Sequence, residues 1–513
     1  MNAPTPSAPL TPEERKRRRR RRWAVVLGVV AVLGLLGFVW FRRNVNVPVT
    51  YADIEDHFKY GSIGSDNTVR GMPLAVLKIL PRAFPQYMPP GAPRDLTAFG
   101  FLQEPGAATP IGFSRRKQVV EIAGLNCAVC HTGTVRETPA SRPVTYLGMP
   151  SHQLDLDALF DFLFAAAVDH RFTAENLMPL VTAESDLGFL ERLITRAFVI
   201  PAFRTGLLEQ RDLLGYQYVP GHTRGGPGRV DTFGAYKVSI YRFPAAELPA
   251  KELTGVADLP SIWNQAPREG LPLHWDGNNH SLMERNFSAA FGAGATPATV
   301  DIPSLERIQD WLREFPPPPY PFPVDRARAA AGERVYMRDC YACHGRNEFG
   351  PGGRDRRDTR IGQVEPLARI GTDPYRNWSF TRDLALNQGT LMAGTRWRLK
   401  SFRVTDGYVN APLDGIWLRA PYLHNGSVPT LYDLLKPAAE RPRAFYRGYD
   451  VYDQANVGFV HNVSAEGNRR YSLFRTHDDA GQPIAGNDNA GHEYGTTLSE
   501  AEKRQLIEFL KTL

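Results

Sequence analysis

Cys127-Ala-Val-Cys130-His131 and Cys340-Tyr-Ala-Cys343-His344 hold all four cysteines of the chain, and each pair is followed directly by histidine. This is the spacing by which a c-type haem is attached. Two thiols bond the porphyrin vinyl groups, and the adjoining histidine is then close enough to ligate the iron. A Cys-x-x-Cys pair also serves as half of a zinc site, a thioredoxin-like redox couple or a disulfide. Zinc ribbons, however, place their halves tens of residues apart, and these pairs lie more than two hundred apart. Neither redox exchange nor a disulfide explains a histidine in the same place twice. The motifs therefore predict two covalently bound haem c groups, one on Cys127, Cys130 and His131 and one on Cys340, Cys343 and His344.

A chain of 513 residues predicts two to four domains with ample volume for buried cofactors. Its net charge of +7 is unevenly placed. Residues 1–43 carry ten Lys/Arg against Glu13 and Glu14, a net of +8, which leaves about −1 for everything downstream. The body has no nucleic-acid-like charge, and no nucleic acid is expected among its partners. The basic run Arg15–Arg22 abuts Trp23–Phe41, nineteen residues without a charge. At about 1.5 Å rise per residue this just spans a bilayer core. Eight positive charges precede it and two follow, so residues 1–22 read as a cytoplasmic basic tail and 23–41 as a transmembrane anchor. A cleaved signal peptide is the rival reading, but its apolar stretch is usually shorter and ends in small residues. Either way the bulk of the chain is exported. The expected location is the bacterial inner membrane, single-pass, with the C-terminal bulk in the periplasm, the side on which haem is attached covalently.

Residues 44–110 are rich in Pro and Gly and read as irregular structure with short helices such as Met72–Leu80. Helical spacing appears in Leu154–Phe164 and Leu187–Phe198. Phe315-Pro-Pro-Pro-Pro-Tyr-Pro-Phe-Pro323 cannot continue a helix and forms a stiff connector. It divides a first haem domain, 44–314, from a second, 324–513, with 315–323 as a proline-rich linker. Val324–Arg338 is helix-compatible and runs into Cys340. Ser499-Glu-Ala-Glu502 is a capping box before the amphipathic Leu506, Ile507, Phe509, Leu510 and Leu513. No repeat of 20–50 residues appears beyond the haem motif itself.

The sixth ligand on each iron separates electron transfer from chemistry, because an iron with an open position binds O₂ or peroxide. After the second motif the chain offers His424, His461, His477 and His492, and one methionine, Met392. A bis-histidine second haem is expected. His492 lies in a glycine-rich loop and His424 in a turn-like Pro-Tyr-Leu-His-Asn-Gly-Ser segment, and these two are the candidate metal ligands beside His131 and His344. For the first haem, His152 is the nearest downstream histidine. The stretch from Leu259 to His280 is richer: Trp263, His274, Trp275 and Asp276 supply the imidazole, carboxylate and indoles that could steer an oxygen species and relay protons or electrons. These are the candidate catalytic residues. Core packing is the alternative for the tryptophans.

Several segments carry a resemblance. Besides the two haem motifs they are Gly226-Pro-Gly-Arg-Val-Asp-Thr-Phe233, Leu259-Pro-Ser-Ile-Trp-Asn264, His274-Trp-Asp-Gly-Asn-Asn279, Ala420-Pro-Tyr-Leu-His-Asn-Gly-Ser427 and Asn489-Ala-Gly-His492. The arrangement resembles the bacterial di-haem cytochrome c peroxidase superfamily, including its MauG-type members, and within it is most similar to the rubber oxygenase-like branch. The resemblance implies a mostly α fold of two cytochrome c-like haem domains with long irregular loops, to which the apolar run at 23–41 adds an N-terminal transmembrane helix. It also implies an oxidoreductase in which the His131 haem meets peroxide or O₂ while the His344 haem relays electrons from a donor protein or quinol chain. A pure electron-transfer cytochrome with both haems six-coordinate is the alternative, and a rubber oxygenase-like dioxygenase is another. Two departures stand out. No methionine follows the Pro-Tyr-x-His segment, where the peroxidases commonly supply one. Rubber oxygenases are also larger and secreted, whereas this chain looks tethered, which makes polyisoprene a poor substrate choice.

Overall fold

The structure, a computed structural model, describes residues 11–44, 46–67 and 71–513, and the side chains of all of these except 40–44. The first ten residues of the expected cytoplasmic tail, and the side chains of Trp40 to Arg43, lie outside the described residues. Helices and long loops dominate. Among the described residues one sheet has four strands and six have two.

The apolar N-terminal run forms one helix, Pro12–Asn44. It is exposed along its described length and is long and apolar enough to cross a membrane. An anchor and a signal sequence both meet that description.

The stretch 44–110 is more regular than its composition predicts. It holds the helix Ile54–Tyr60, the helix Leu74–Ala83 and two strands of the four-stranded antiparallel sheet. The central hairpin of that sheet, Phe113–Lys117 with Glu121–Leu125, delivers the chain directly into the first haem motif. Asn126 caps the turn Cys127–Cys130 by accepting from the Ala128 N–H. Its amide also donates to the carbonyls of Lys59 and Gly61, fastening the turn to the end of the helix Ile54–Tyr60. Gly112 sits at φ +94°, and a Cβ there would stand 2.5 Å from the Val129 Cα, so only glycine permits this close seat.

Leu154–Phe164 reads true as the helix Leu156–Val168, started by Asp155, which accepts from the Ala158 N–H. Leu187–Phe198 is helical but interrupted: an α-helix over Phe189–Ile194 passes through a π-turn, Thr195–Val199, into the helix Ile200–Leu213.

The second motif is approached by the helix Arg326–Asp339. Across it lies the C-terminal helix Glu500–Leu510, opened by the Ser499/Glu502 capping box. The two cross closely, because a Cβ at Gly332 would overlap the Gln505 carbonyl. Tyr336 and Phe509 pack with ring centroids 5.0 Å apart, and the Tyr336 hydroxyl donates to the Gly345 carbonyl just past His344.

Hydrophobic clusters cross the proline connector. Val135, Met149 and Trp263 pack with Tyr336, Trp417 and Leu506, while Phe380, Leu384 and Met392 pack with Phe58, Phe233 and Phe287. The connector itself is clamped. The Trp417 indole N–H donates to the Pro318 carbonyl, and the Asn264 N–H donates to the Phe315 carbonyl. Arg136, at the end of the ribbon leaving the first motif, reaches Asp450 at 2.6 Å and Glu466 at 2.8 Å. The two motifs are thus built on interlocked halves.

Candidate functional site

Each haem motif forms one helical turn, and each histidine is oriented in the same way. The His131 Nδ1–H donates to the Pro260 carbonyl at 2.8 Å, and the His344 Nδ1–H donates to the Ala411 carbonyl at 2.8 Å. This fixes the tautomer and leaves Nε2 as the nitrogen free of a proton on both rings. Burial pushes His131 down to about 4 and lowers His344 as well, so both are neutral and available to a metal at physiological pH.

None of the four cysteines is disulfide-bonded. Burial raises the Cys127 thiol to about 11 and those of Cys130 and Cys340 to about 12. Among the described residues no three His, Cys, Asp or Glu side chains gather to hold a metal ion. A zinc site wants a thiolate-rich, four-ligand cage, and these motifs do not provide one. Thiol pairs beside a neutral imidazole with its Nε2 free fit covalent haem c.

His492 faces His344. Their ring centroids are 6.2 Å apart with planes inclined by 44°. A metal held by both rings, with bonds of about 2 Å to each nitrogen, would need a centroid separation of this order. His492 is held in place by its backbone. It sits at φ +50°, its N–H donates to the Ile370 carbonyl at 2.8 Å, and Arg441 gathers the carbonyls of Asn489 and Gly491. Gly491 lies so close to the Gly371 backbone that a Cβ would overlap it. Burial and the neighbouring His344 push His492 down to about 3. Met392 instead packs in the cluster containing Phe287 and Phe380.

His424 is placed differently. It stacks on Tyr408 with centroids 3.9 Å apart, and its buried Nε2 lacks a hydrogen-bond partner. His152 stacks on Phe459 at 3.7 Å. Among the described residues no ring pairs with His131 as His492 pairs with His344.

The four candidate catalytic residues separate into two environments. His274 and Asp276 belong to one buried polar group. Asp276 meets Arg376 at 3.3 Å and accepts from the Asn278 amide at 3.1 Å, and each side chain of the ion pair is under 5% exposed (1% and 4%). The His274 Nε2 is buried and unpartnered, and His274 sits at φ +63°. Burial, then Arg376 and Arg285, hold it far below its ordinary range, so it is neutral. Arg285 also lowers His131 and Cys127, which ties His274 to the surroundings of the first motif. Burial, then Arg376 and Arg229, likewise depress His424, so that ring lies within the field of the same arginine.

The indoles point elsewhere. The Trp275 N–H donates to the Asp258 carbonyl at 3.0 Å. Trp263, 1% exposed, donates to the Asp414 carbonyl at 3.3 Å. It lies between two glycines: a Cβ at Gly148 would stand 3.3 Å from the indole and one at Gly415 2.8 Å. The Gly148 N–H donates to the His131 carbonyl, and Gly415 follows Ala411, which holds His344, by four residues. Trp263 thus lies between the supports of the two motifs. Asp414 binds Arg268 at 2.5 Å and Arg419 at 2.8 Å. Burial alone would raise it, but the two guanidiniums hold it at about 2.

Sequence reasoning missed Arg285, Arg376, Asp414 and the carbonyls of Pro260 and Ala411. No local signal marks a carbonyl acceptor, or a guanidinium whose carboxylate lies a hundred residues away.

Residues 407–446 match the family described as RoxA-like, cytochrome c-like, a segment that carries Tyr408, Ala411, Asp414 and His424. That segment is therefore cytochrome c-like, which implies covalently bound haem c, and the match supports the likeness to rubber oxygenase-like di-haem cytochromes. Among individual proteins, the chain is 33% identical over 238 residues to the uncharacterized protein y4iM of Sinorhizobium fredii, which covers 41% of this chain and about half (51%) of that relative. It is 25% identical over 526 residues to y4iJ of the same organism, covering 82% of this chain and 84% of that protein.

Proposed function

We propose that the chain is an exported, membrane-tethered di-haem c-type cytochrome with oxidoreductase activity, reactive at the His131 haem and relaying electrons through the His344 haem. The observation that carries this reading is the inequality of the two histidines: His344 has His492 opposite it at 6.2 Å, and His131 has no such partner among the described residues. When bound, a c-type haem with an open iron position supplies peroxide or O₂ chemistry, and one closed by two imidazoles supplies electron transfer.

The chain's residues fit those roles. The Pro260 carbonyl orients His131, the neutral and unpartnered His274 Nε2 is free to accept a hydrogen bond in a dry setting, and Arg285 supplies a fixed positive charge. Asp276 and Arg376 fix that environment. Trp263 lies where an electron would pass between the motif supports. A soluble electron donor or a quinol chain would refill the His344 haem. The span and its flanking charges support the inner membrane with the bulk in the periplasm.

The match over 407–446 favours O₂ activation on an alkene over peroxide reduction, as a second reading within the same site. Purified full-length protein, given peroxide with a ferrocytochrome donor in one assay and O₂ with a soluble isoprenoid alkene in another, separates them. Turnover in either, abolished in a His131→Ala variant, supports an enzyme. Inactivity in both assays returns the protein to pure electron transfer.

A further inference from the structure

The interrupted helix at 189–199 presents an apolar face that the reactive centre does not use. Phe189, Leu190, Leu193 and Phe198 are 86, 55, 53 and 69% exposed. The opposite side of the same run is buried, with Thr195, Ile200, Phe203 and Leu207 turned inward. The π-turn sets this pattern. The Ile200 N–H bonds the Thr195 carbonyl, an i→i+5 closure that adds one residue to the turn. Leu193 lies one α-turn below Phe189, and across the wider turn Phe198 comes into line beneath Leu193. An uninterrupted α-helix would align Ala197 there and rotate Phe198 away.

The polar residues of the run do not make a charged patch. Glu191 is engaged by the Gly188 N–H, and Arg192 donates to the Leu187 carbonyl. Asp186 and Glu191 balance Arg192 and Arg196. Whatever covers this face recognises apolar surface, not charge.

The tether limits what that is. The helix Pro12–Asn44 ends three residues before Val47, whose strand pairs with Lys117 in the folded body. Three residue steps reach at most about 10 Å, so a membrane-inserted helix holds the body against the bilayer surface. We infer that the Phe189–Phe198 face dips into the headgroup–acyl boundary of that bilayer as a short interfacial helix. This rests on the membrane-anchor reading and adds a second, independent point of contact. Because the run is neutral, its insertion is the same in zwitterionic and anionic lipid.

The test uses full-length holoprotein in phosphatidylcholine nanodiscs doped with a lipid carrying a photoreactive diazirine in its acyl chain. After illumination, mass spectrometry maps the adducts, with exposed Leu386 (61%) as a reference apolar residue elsewhere on the body. Adducts are expected in Trp23–Val39 and in 189–198, the latter several-fold above Leu386. The double variant Phe189→Glu, Phe198→Glu is expected to keep the anchor adducts and the Soret spectrum and to lose those at 189–198. Adducts in the anchor alone overturn the inference and leave the tether standing. Loss of both sets overturns both. Two copies per nanodisc by mass photometry, reduced to one in the double variant, overturn it in favour of self-association.

Discussion

The carbonyls of Pro260 and Ala411 each accept from the Nδ1–H of a motif histidine at 2.8 Å, and that shared detail makes the two motifs chemically equal up to the sixth position. His492 is where they part. On this account His492→Ala turns the second haem high-spin in the electronic and EPR spectra of the oxidised protein. His424→Ala, which removes a ring stacked on Tyr408, leaves it low-spin. The opposite outcome would transfer the ligand role to His424. Asp414 is a residue through which stability should depend on pH in the acid range. Its folded pKa of about 2 lies below the unfolded value of about 3.9, so its contribution is present above about pH 4 and lost as pH falls through about 2. Asp414→Asn leaves Arg268 and Arg419 buried without their carboxylate and costs about 3–5 kcal/mol at neutral pH. Denaturation followed at the Soret band should show that difference shrinking as the pH is lowered towards 2.

At the scale of elements, the sequence was readable wherever the signal was local. Ser499 and Glu502 form the capping box that their spacing announces, and Asp155 starts the helix expected over 154–164. The hairpin Phe113–Leu125 and the helix Ile54–Tyr60 were hidden by the surrounding prolines and glycines, although they seat the first motif. Pairings between distant residues were not readable at all. Trp275 adjoins His274 in sequence, yet its N–H goes to Asp258, while Arg376, a hundred residues on from Asp276, completes the polar group. The seat of the first motif gives its own prediction. Gly112→Ala forces a side chain onto Val129 at a φ of +94°, at about 1–3 kcal/mol for the backbone alone, and displaces the turn Cys127–Cys130. Pyridine haemochrome assay should then find covalent haem falling towards one per chain. Two haems per chain at full yield would show that the turn tolerates the shift.

Over the whole molecule, the halves on either side of the proline connector share their cores, with Trp263 packed among residues of the second half and Phe380 among those of the first. This interlocking brings the supports of both motifs onto one tryptophan, as the proposed passage of electrons between unlike haems would need. The central claim is that inequality. It is tested most directly by the CO difference spectrum of the dithionite-reduced full-length protein, read with the haem count. The account predicts that one of two haems binds CO and shifts its Soret band while the other stays low-spin, and that the CO-binding fraction disappears in Cys127→Ser/Cys130→Ser. A wholly low-spin spectrum that ignores CO would contradict it.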